Sequence, residues 1–354
     1  MADSRRVTLK DIAKSLGVSV NTVSRALTGK DSVGEETRAR IKAEAERLGY
    51  VPNPMARSLV LGSAMTIGLV ITNPSNPFYA RLISAIEHRG RAAGYSLMLL
   101  LTEESPDGDQ NAAQTLLRWN VDGALVVPAV QGDGEHWARL SDAGIPLVCL
   151  NRDLADLELD YVGVDYERGA YEATRHLVAS GARTVCLMEE DLPISPVADR
   201  IAGFRRALAD AGLTGERVVS VPTRRLESLA LPWEPADAYR LAQEIVRGDR
   251  LPDAIMVGND YFALGVYRAL TEAGLRVGED VLVGGFGDHP FAAYLNPSLT
   301  TVALPSADIG VTAVDLLLRR MKGQDDHDRD HDRADKRRLP AELVVRASSR
   351  RGVT

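Results

Sequence analysis

The chain has 354 residues, 45% hydrophobic and 26% charged, with a formal net charge of −7, so two or three domains with self-sufficient cores are expected. Its two cysteines, Cys149 and Cys186, lie in separate apolar runs without metal-ligand spacing, which argues against a disulfide scaffold or cysteine-based zinc site and fits a reducing compartment. The charged N-terminus lacks the apolar core of a secretory signal and no run approaches the ~20 apolar residues of a membrane span, so a cytoplasmic protein with no membrane partner is expected.

The charge is uneven along the chain. Residues 1–62 hold 11 Lys/Arg against 7 Asp/Glu, whereas the remainder holds 31 against 42. A small basic head on an acidic body suits polyanion binding, although so modest an excess also arises by clustering alone. Three short helices are predicted within 1–50. Thr8 and Asp11 make a capping-box-like start to a helix carrying Leu9, Ile12, Ala13 and Leu16, which Gly17 ends. Ser19 can cap a second, Val20 to Leu27, with Val23, Ala26 and Leu27 inward. After the turn TGKDSVG, a third runs from Glu35 to Leu48 and stops at Gly49.

The first two helices have helix-turn-helix dimensions, in which the start of the second helix faces base edges in the DNA major groove. Val20, Asn21 and Arg25 would stand there, suited to a thymine methyl, adenine and guanine, with Thr22 and Ser24 near phosphates. Any three-helix bundle shares this spacing, so at this point both readings stay open. In residues 51–62, Asn53 suits an N-cap and Pro54 a first helical position. The helix that follows spans only about two turns and should be stable only when docked.

From residue 64 the pattern becomes strand, helix, strand. The apolar runs TIGLVI, YSLMLLL, DGALVVP, IPLVCL, TVCLM, DAIMVG and VLVGGF suit buried strands. Between them lie amphipathic helices over 78–93, 109–119, 167–180, 196–211, 236–248 and 261–273. Such alternation implies parallel sheets with right-handed crossovers, too many elements for one sheet, and a ligand site outside the carboxyl ends of the strands. Two α/β lobes are therefore expected within 63–354: the first about 63–163 plus 305–322, the second about 164–290 plus 339–350. The charged stretch 324–338 is expected to be a solvated loop before a last strand, AELVVRAS. His327 and His331 lie four apart within it, but nothing there fixes their geometry, so no metal is expected.

VTLKDIAKSLGVSVNTVSRAL followed by TRARIKAEAERLGYVPNPMARSL resembles the DNA-binding head and hinge of the lac repressor / galactose repressor family. The similarity continues through NPFYARLISAIE, DRIAGFRRAL, GNDYFALGVYRAL and GFGDHP…LTTV to LPAELVVRAS. It implies a helix-turn-helix head on a two-lobed α/β core similar to periplasmic sugar-binding proteins. It also implies a homodimeric, nucleoid-associated transcriptional repressor, allosteric, whose affinity for a pseudo-palindromic double-stranded DNA operator is controlled by a sugar or sugar derivative. Thr8, Lys10 and Ser19 join the DNA-facing set, as do Asn53, Ala56 and Arg57 of the hinge. Leu59 matches the family's leucine that wedges a central base step in the minor groove. The resemblance places Phe78, Tyr79, Asn151 and Arg152 on the effector from the first lobe, and Arg200, Trp233 and Asn259 from the second.

Other roles are open at several of these positions. Phe78 can be ordinary core, Arg152 can pair with Asp153, and Asp260 can cap the helix after it. Trp233 sits in a lengthened loop that blurs its match. Gly287 stands where the family has a sugar-ligating acid or amide, leaving Asp288 or water to replace it, and Gly34 replaces a serine as N-cap. The competing readings are a plain solute-binding protein, a regulator of a non-sugar metabolite, and an α/β enzyme. No GxGxxG, Walker A or GxSxG motif occurs and the histidines form no visible triad, so neither catalysis nor a cofactor is expected.

Overall fold

A computed structural model describes residues 7–27, 33–50, 63–129, 134–154, 157–214, 216–223, 234–323 and 334–350. The chain divides into two compact units, one ending at Met65 and one beginning at Thr66. The first holds α1 (Leu9–Leu16), α2 (Val20–Leu27) and α3 (Glu35–Arg47). The Asp11 carboxylate accepts from the Thr8 backbone N–H at 2.8 Å and from its hydroxyl at 2.7 Å, which starts α1. Ser19 Oγ accepts from the Thr22 N–H at 3.0 Å, which starts α2. Ile12, Ala13, Val23, Ala26, Ile41 and Ala45 then close a small core among the three helices.

The second unit contains two six-stranded sheets. In spatial order the first is β11 (Lys336–Leu339), β5 (Asp160–Val164), β4 (Leu147–Leu150), β3 (Gly123–Val126), β1 (Thr66–Ile71) and β2 (Ser96–Leu101). The second is β12 (Glu342–Val344), β10 (Thr300–Ala303), β9 (Leu282–Gly287), β8 (Ala254–Val257), β6 (Val185–Glu190) and β7 (Arg217–Val221). All neighbours run parallel except β10 and β12. Helices α4 (Pro77–Ala92), α5 (Pro106–Trp119), α6 (Glu135–Asp142) and α11 (Ser306–Gly323) serve the first sheet. Helices α7 (Tyr166–Ala179), α8 (Ser195–Asp210), α9 (Pro235–Arg247) and α10 (Asp260–Glu272) serve the second. Central strands covered on both faces read as continuous apolar runs, and β3, β4, β6, β8 and β9 are buried along their whole length.

Strands outside those runs were not apparent from apolarity. β7 and β11 are edge strands, β5 carries a buried Asp160, and β10 is rich in threonine. The largest departure from expectation is at Lys336–Arg338, which form part of β11 beside Tyr161–Gly163 rather than a solvated loop. Asp160 is the anchor. Its carboxylate takes both a 2.7 Å bond to each of two Arg320 guanidinium nitrogens and the Asp335 backbone N–H at 2.8 Å. An edge strand exposes alternate side chains, so a charged KRRL stretch can occupy one without burying its charges.

His327 and His331 fall outside the described residues. Among the described residues, no cluster of three or more His, Cys, Asp or Glu could hold a metal, and no helix is long and apolar enough to cross a membrane.

Candidate functional site

Helix α2 turns Val20, Asn21 and Arg25 to solvent while Val23 and Ala26 are buried; Thr22 and Ser24 are half-buried beside them. Thr8, Lys10 and Ser19 are also exposed. An amphipathic helix thus presents one polar stripe of donors and acceptors, the arrangement that base-edge and phosphate contacts require. Asn53, Ala56, Arg57 and Leu59 lie outside the described residues, as does Trp233.

A cleft of about 500 Å³, open to solvent, lies at the carboxyl ends of the strands of both sheets. Phe78, Tyr79, Asn151, Arg152, Arg200 and Asn259 all line it, together with Asn76, Tyr166, Glu190, Phe286, Gly287 and His289. Local structure explains how each arrives. Asn76 caps α4, its Oδ1 accepting from the Phe78 N–H at 2.9 Å, and Pro77 fills the first helical position. That sets the Phe78 and Tyr79 rings edge to face in the first turn, 5.4 Å apart. Asn259 likewise caps α10, accepting from the Tyr261 N–H at 3.0 Å, which leaves its amide NH₂ for a ligand. Asn151 follows β4 with φ +59°, and its Oδ1 accepts from the Tyr166 hydroxyl at 2.7 Å. Tyr166 stacks on Phe286, with centroids 5.8 Å apart.

Both arginines are clamped from behind. Arg152 gives Glu104 two 2.7 Å bonds and the Pro128 carbonyl a third. Glu104 itself sits at φ +59°, a conformation that costs a non-glycine residue on the order of 1 kcal/mol and that its ion pair helps hold. The expected alternative, a pair between Arg152 and Asp153, is therefore corrected: Asp153 bonds Lys336 at 3.0 Å. Arg200 gives Glu189 bonds of 2.8 and 2.7 Å, lies 3.7 Å from Glu190, and has the rings of Tyr166 and Phe286 at 5.3 and 5.4 Å. Burial opposes its charge, but the carboxylates of Glu189 and Glu190 outweigh this and hold the guanidinium above the ordinary arginine range.

Two further expectations change. Asp288 is not among the lining residues; its carboxylate bonds Arg346 at 2.7 Å, so it does not stand in for the acceptor missing at Gly287. Asp260 is not the cap of α10. It is buried beneath the cleft, accepting from Thr301 Oγ1 at 2.7 Å and the His289 N–H at 2.9 Å, and burial raises its carboxyl to about 6.

His289 is one of the lining residues that sequence reasoning missed, together with Asn76, Tyr166, Glu190 and Phe286. Its ring is buried at the cleft wall and its Nε2 has no hydrogen-bond partner. A Cβ built on Gly287, which has φ +134°, would come 3.2 Å from that Nε2, so the glycine admits the ring that closes over it. Burial, with Arg81 adding to it, lowers the imidazole to about 4. The only hint in the sequence was the coincidence of an absent side chain at 287 with a histidine two residues on.

Comparison with known proteins agrees with the fold. Residues 8–53 match the family described as bacterial regulatory proteins, lacI family, and residues 174–349 match the periplasmic binding protein-like domain. The HTH-type transcriptional repressor PurR of Haemophilus influenzae is 31% identical over 341 residues, spanning 96% of this chain and 98% of that protein. The lac repressor dimer bound to operator and the anti-inducer ONPF is similar with a TM-score of 0.84 and 27% identity, over 98% of this chain and all of that one. A complex of the transcriptional regulator CelR with cellobiose has a TM-score of 0.70 and 26% identity, over 97% of this chain and all of that one.

Proposed function

Since this chain belongs to the lacI family of bacterial regulatory proteins, DNA-binding transcriptional repressors with an effector-binding core, we propose that its effector is a sugar or sugar derivative held in the cleft. The observation that carries this is the mixture of the Phe78, Tyr79 and Phe286 rings with the amides of Asn76, Asn151 and Asn259 around one opening. Rings cover the apolar face of a pyranose, and fixed amides supply the paired donors and acceptors that neighbouring hydroxyls need. The CelR–cellobiose complex supports the same chemical class, at 26% identity.

In this reading Val20, Asn21 and Arg25 read bases, Thr8, Lys10, Ser19, Thr22 and Ser24 hold the backbone, and Asn53, Ala56, Arg57 and Leu59 form the minor-groove hinge. The protein acts as a homodimer on a pseudo-palindromic operator. The ligand shifts operator affinity because it binds one arrangement of the two lobes better than the other; a coupling of ~1–3 kcal/mol changes affinity roughly 5–150-fold.

The test is a footprint of the full-length protein on genomic DNA, followed by titration of a sugar library into the operator complex in a gel shift. At least one sugar should move the operator midpoint within that range. A response to purine bases or amino acids alone would overturn the sugar assignment.

A further inference from the structure

Among the described residues that line the cleft, two polar side-chain atoms are buried without a hydrogen-bond partner: Arg152 Nε in the first lobe and His289 Nε2 in the second. We propose that His289 Nε2 is a specificity-determining contact that hydrogen-bonds the effector, and that on a sugar its partner is a hydroxyl. The proposal deepens the sugar reading above by naming a residue that selects among sugars, and its test separates the two.

Buried nitrogens are nearly always bonded in folded proteins, so one left open at the wall of a ligand cleft points to a partner that comes and goes. The surroundings of His289 fix the ring without using that atom. Its backbone N–H donates to Asp260 Oδ2 at 2.9 Å, and Thr301 Oγ1 holds the other oxygen of Asp260 at 2.7 Å. The ring centre lies 5.1 Å from that of Tyr261 and 5.8 Å from that of Phe291. Only 4% of the residue is exposed. A phenylalanine would serve this aromatic packing as well, so the packing gives no reason for a nitrogen here.

The nitrogen faces the place where a side chain is missing. Gly287 lines the cleft, and a Cβ built on it would stand 3.2 Å from Nε2, 3.3 Å from Cε1 and 3.6 Å from Asp260 Oδ2. A ligand group seated against Gly287 is therefore brought toward the Nε2 edge of the ring. Burial keeps the imidazole uncharged near pH 7, and Nε2 of a neutral ring donates or accepts according to its tautomer. A hydroxyl answers both cases because it carries one donor and two acceptor lone pairs, whereas a carboxylate only accepts and an ammonium only donates. Arg152 Nε, on the other lobe, can only donate, so a ligand meeting both atoms shows an acceptor to one lobe and a hydroxyl to the other.

The experiment is isothermal titration of the full-length parent, His289→Phe and His289→Gln with glucose, galactose, ribose, cellobiose, adenine and hypoxanthine, beside thermal unfolding at pH 7 with no ligand. His289→Phe keeps a ring and removes the nitrogen, while His289→Gln supplies an amide that both donates and accepts. A compound that binds the parent should bind His289→Phe on the order of 10-fold more weakly or worse, with His289→Gln in between. Ligand-free His289→Phe should unfold at or above the temperature of the parent, because it buries no unpartnered nitrogen. For a sugar that binds, the single-deoxy derivatives locate the hydroxyl: one of them should lose affinity for the parent but not for His289→Phe.

Equal affinity of the parent and His289→Phe for every binding compound overturns the proposal and leaves the sugar reading standing. So does a His289→Phe chain that unfolds well below the parent with its affinity unchanged, since the histidine would then serve the fold. A parent that binds none of the six compounds overturns the proposal as well. Binding by adenine or hypoxanthine alone sinks the sugar reading, and the contact then stands or falls on whether His289→Phe weakens that purine.

Discussion

His289, at the cleft wall, donates its backbone N–H to Asp260 beneath it, and burial drives their titrations in opposite directions. The histidine falls to about 4 from an ordinary 6.5, so the folded state resists a proton that the unfolded chain accepts. Stability from this group is complete above pH 6.5 and is lost as pH falls toward 4, by up to about 3 kcal/mol. Asp260 rises to about 6 from 3.8, so its contribution is complete below pH 3.8 and is lost as pH rises through 6. Urea denaturation of parent, His289→Leu and Asp260→Asn at several pH values separates them. The stability advantage of the parent over His289→Leu should shrink from pH 7 to pH 4, and its advantage over Asp260→Asn should grow over the same range. A flat difference in either case would refute the assigned burial effect. Sequence comparison could place Arg200 and Asn259 in the cleft because their neighbours form a family pattern. It could not show that Glu189 clamps Arg200, because that contact joins a strand end to a helix eleven residues on. The clamp also makes Arg200→Ala an unsuitable probe of ligand binding, since it would leave Glu189 buried and unpaired.

Helices were legible wherever an apolar stripe or a cap announced them, and their predicted ends fall within a few residues of those observed for α4, α5, α7, α8, α9 and α10. Helices α6 and α11 and the strands β5, β7, β10 and β11 were not read: α6 is short, β7 and β11 are edge strands, and β5 and β10 carry polar residues such as Asp160, Thr300 and Thr301, whereas the apolar face of the 18-residue α11 was there to be read. What alternation also hides is how closely helices approach. Gly203 of α8 faces the α7 backbone: a Cβ there would overlap the Glu167 carbonyl and stand 2.9 Å from the Tyr171 nitrogen. Backbone cannot yield as a flexible side chain does, so Gly203→Ala should cost about 1–3 kcal/mol or more despite its better helix propensity. Thermal unfolding of the core checks this, and a variant as stable as the parent would mean that α7 and α8 separate freely. Gly212, where a Cβ meets nothing within 4 Å but φ is +67°, is the comparison: its cost should come from backbone strain alone and be near 1 kcal/mol.

At the scale of the whole molecule, a single helix-turn-helix head exposes Val20, Asn21 and Arg25 on α2, and under the proposed reading three base contacts are too few for useful discrimination in a genome. Two heads joined in one dimer bind a two-half-site operator with the second contact made at high effective concentration, which can raise affinity by 10²–10⁴. The core carries a surface suited to that joining. Strand β2 is an edge of the first sheet, and its Leu99 and Leu101 are 42% and 48% exposed. On α5, Leu117 and Trp119 are 40% and 55% exposed. An open strand edge flanked by large apolar side chains is a costly surface to leave in water and a natural one for a second copy to cover. We therefore expect Leu99→Lys combined with Trp119→Ala to give a monomer by analytical ultracentrifugation. Operator affinity should fall at least roughly 100-fold while weak, salt-sensitive binding to arbitrary DNA persists, since the phosphate contacts of each head are unchanged. A variant that remains dimeric would move the interface to another face of the core. A monomer that still binds operator like the parent would show instead that one head suffices.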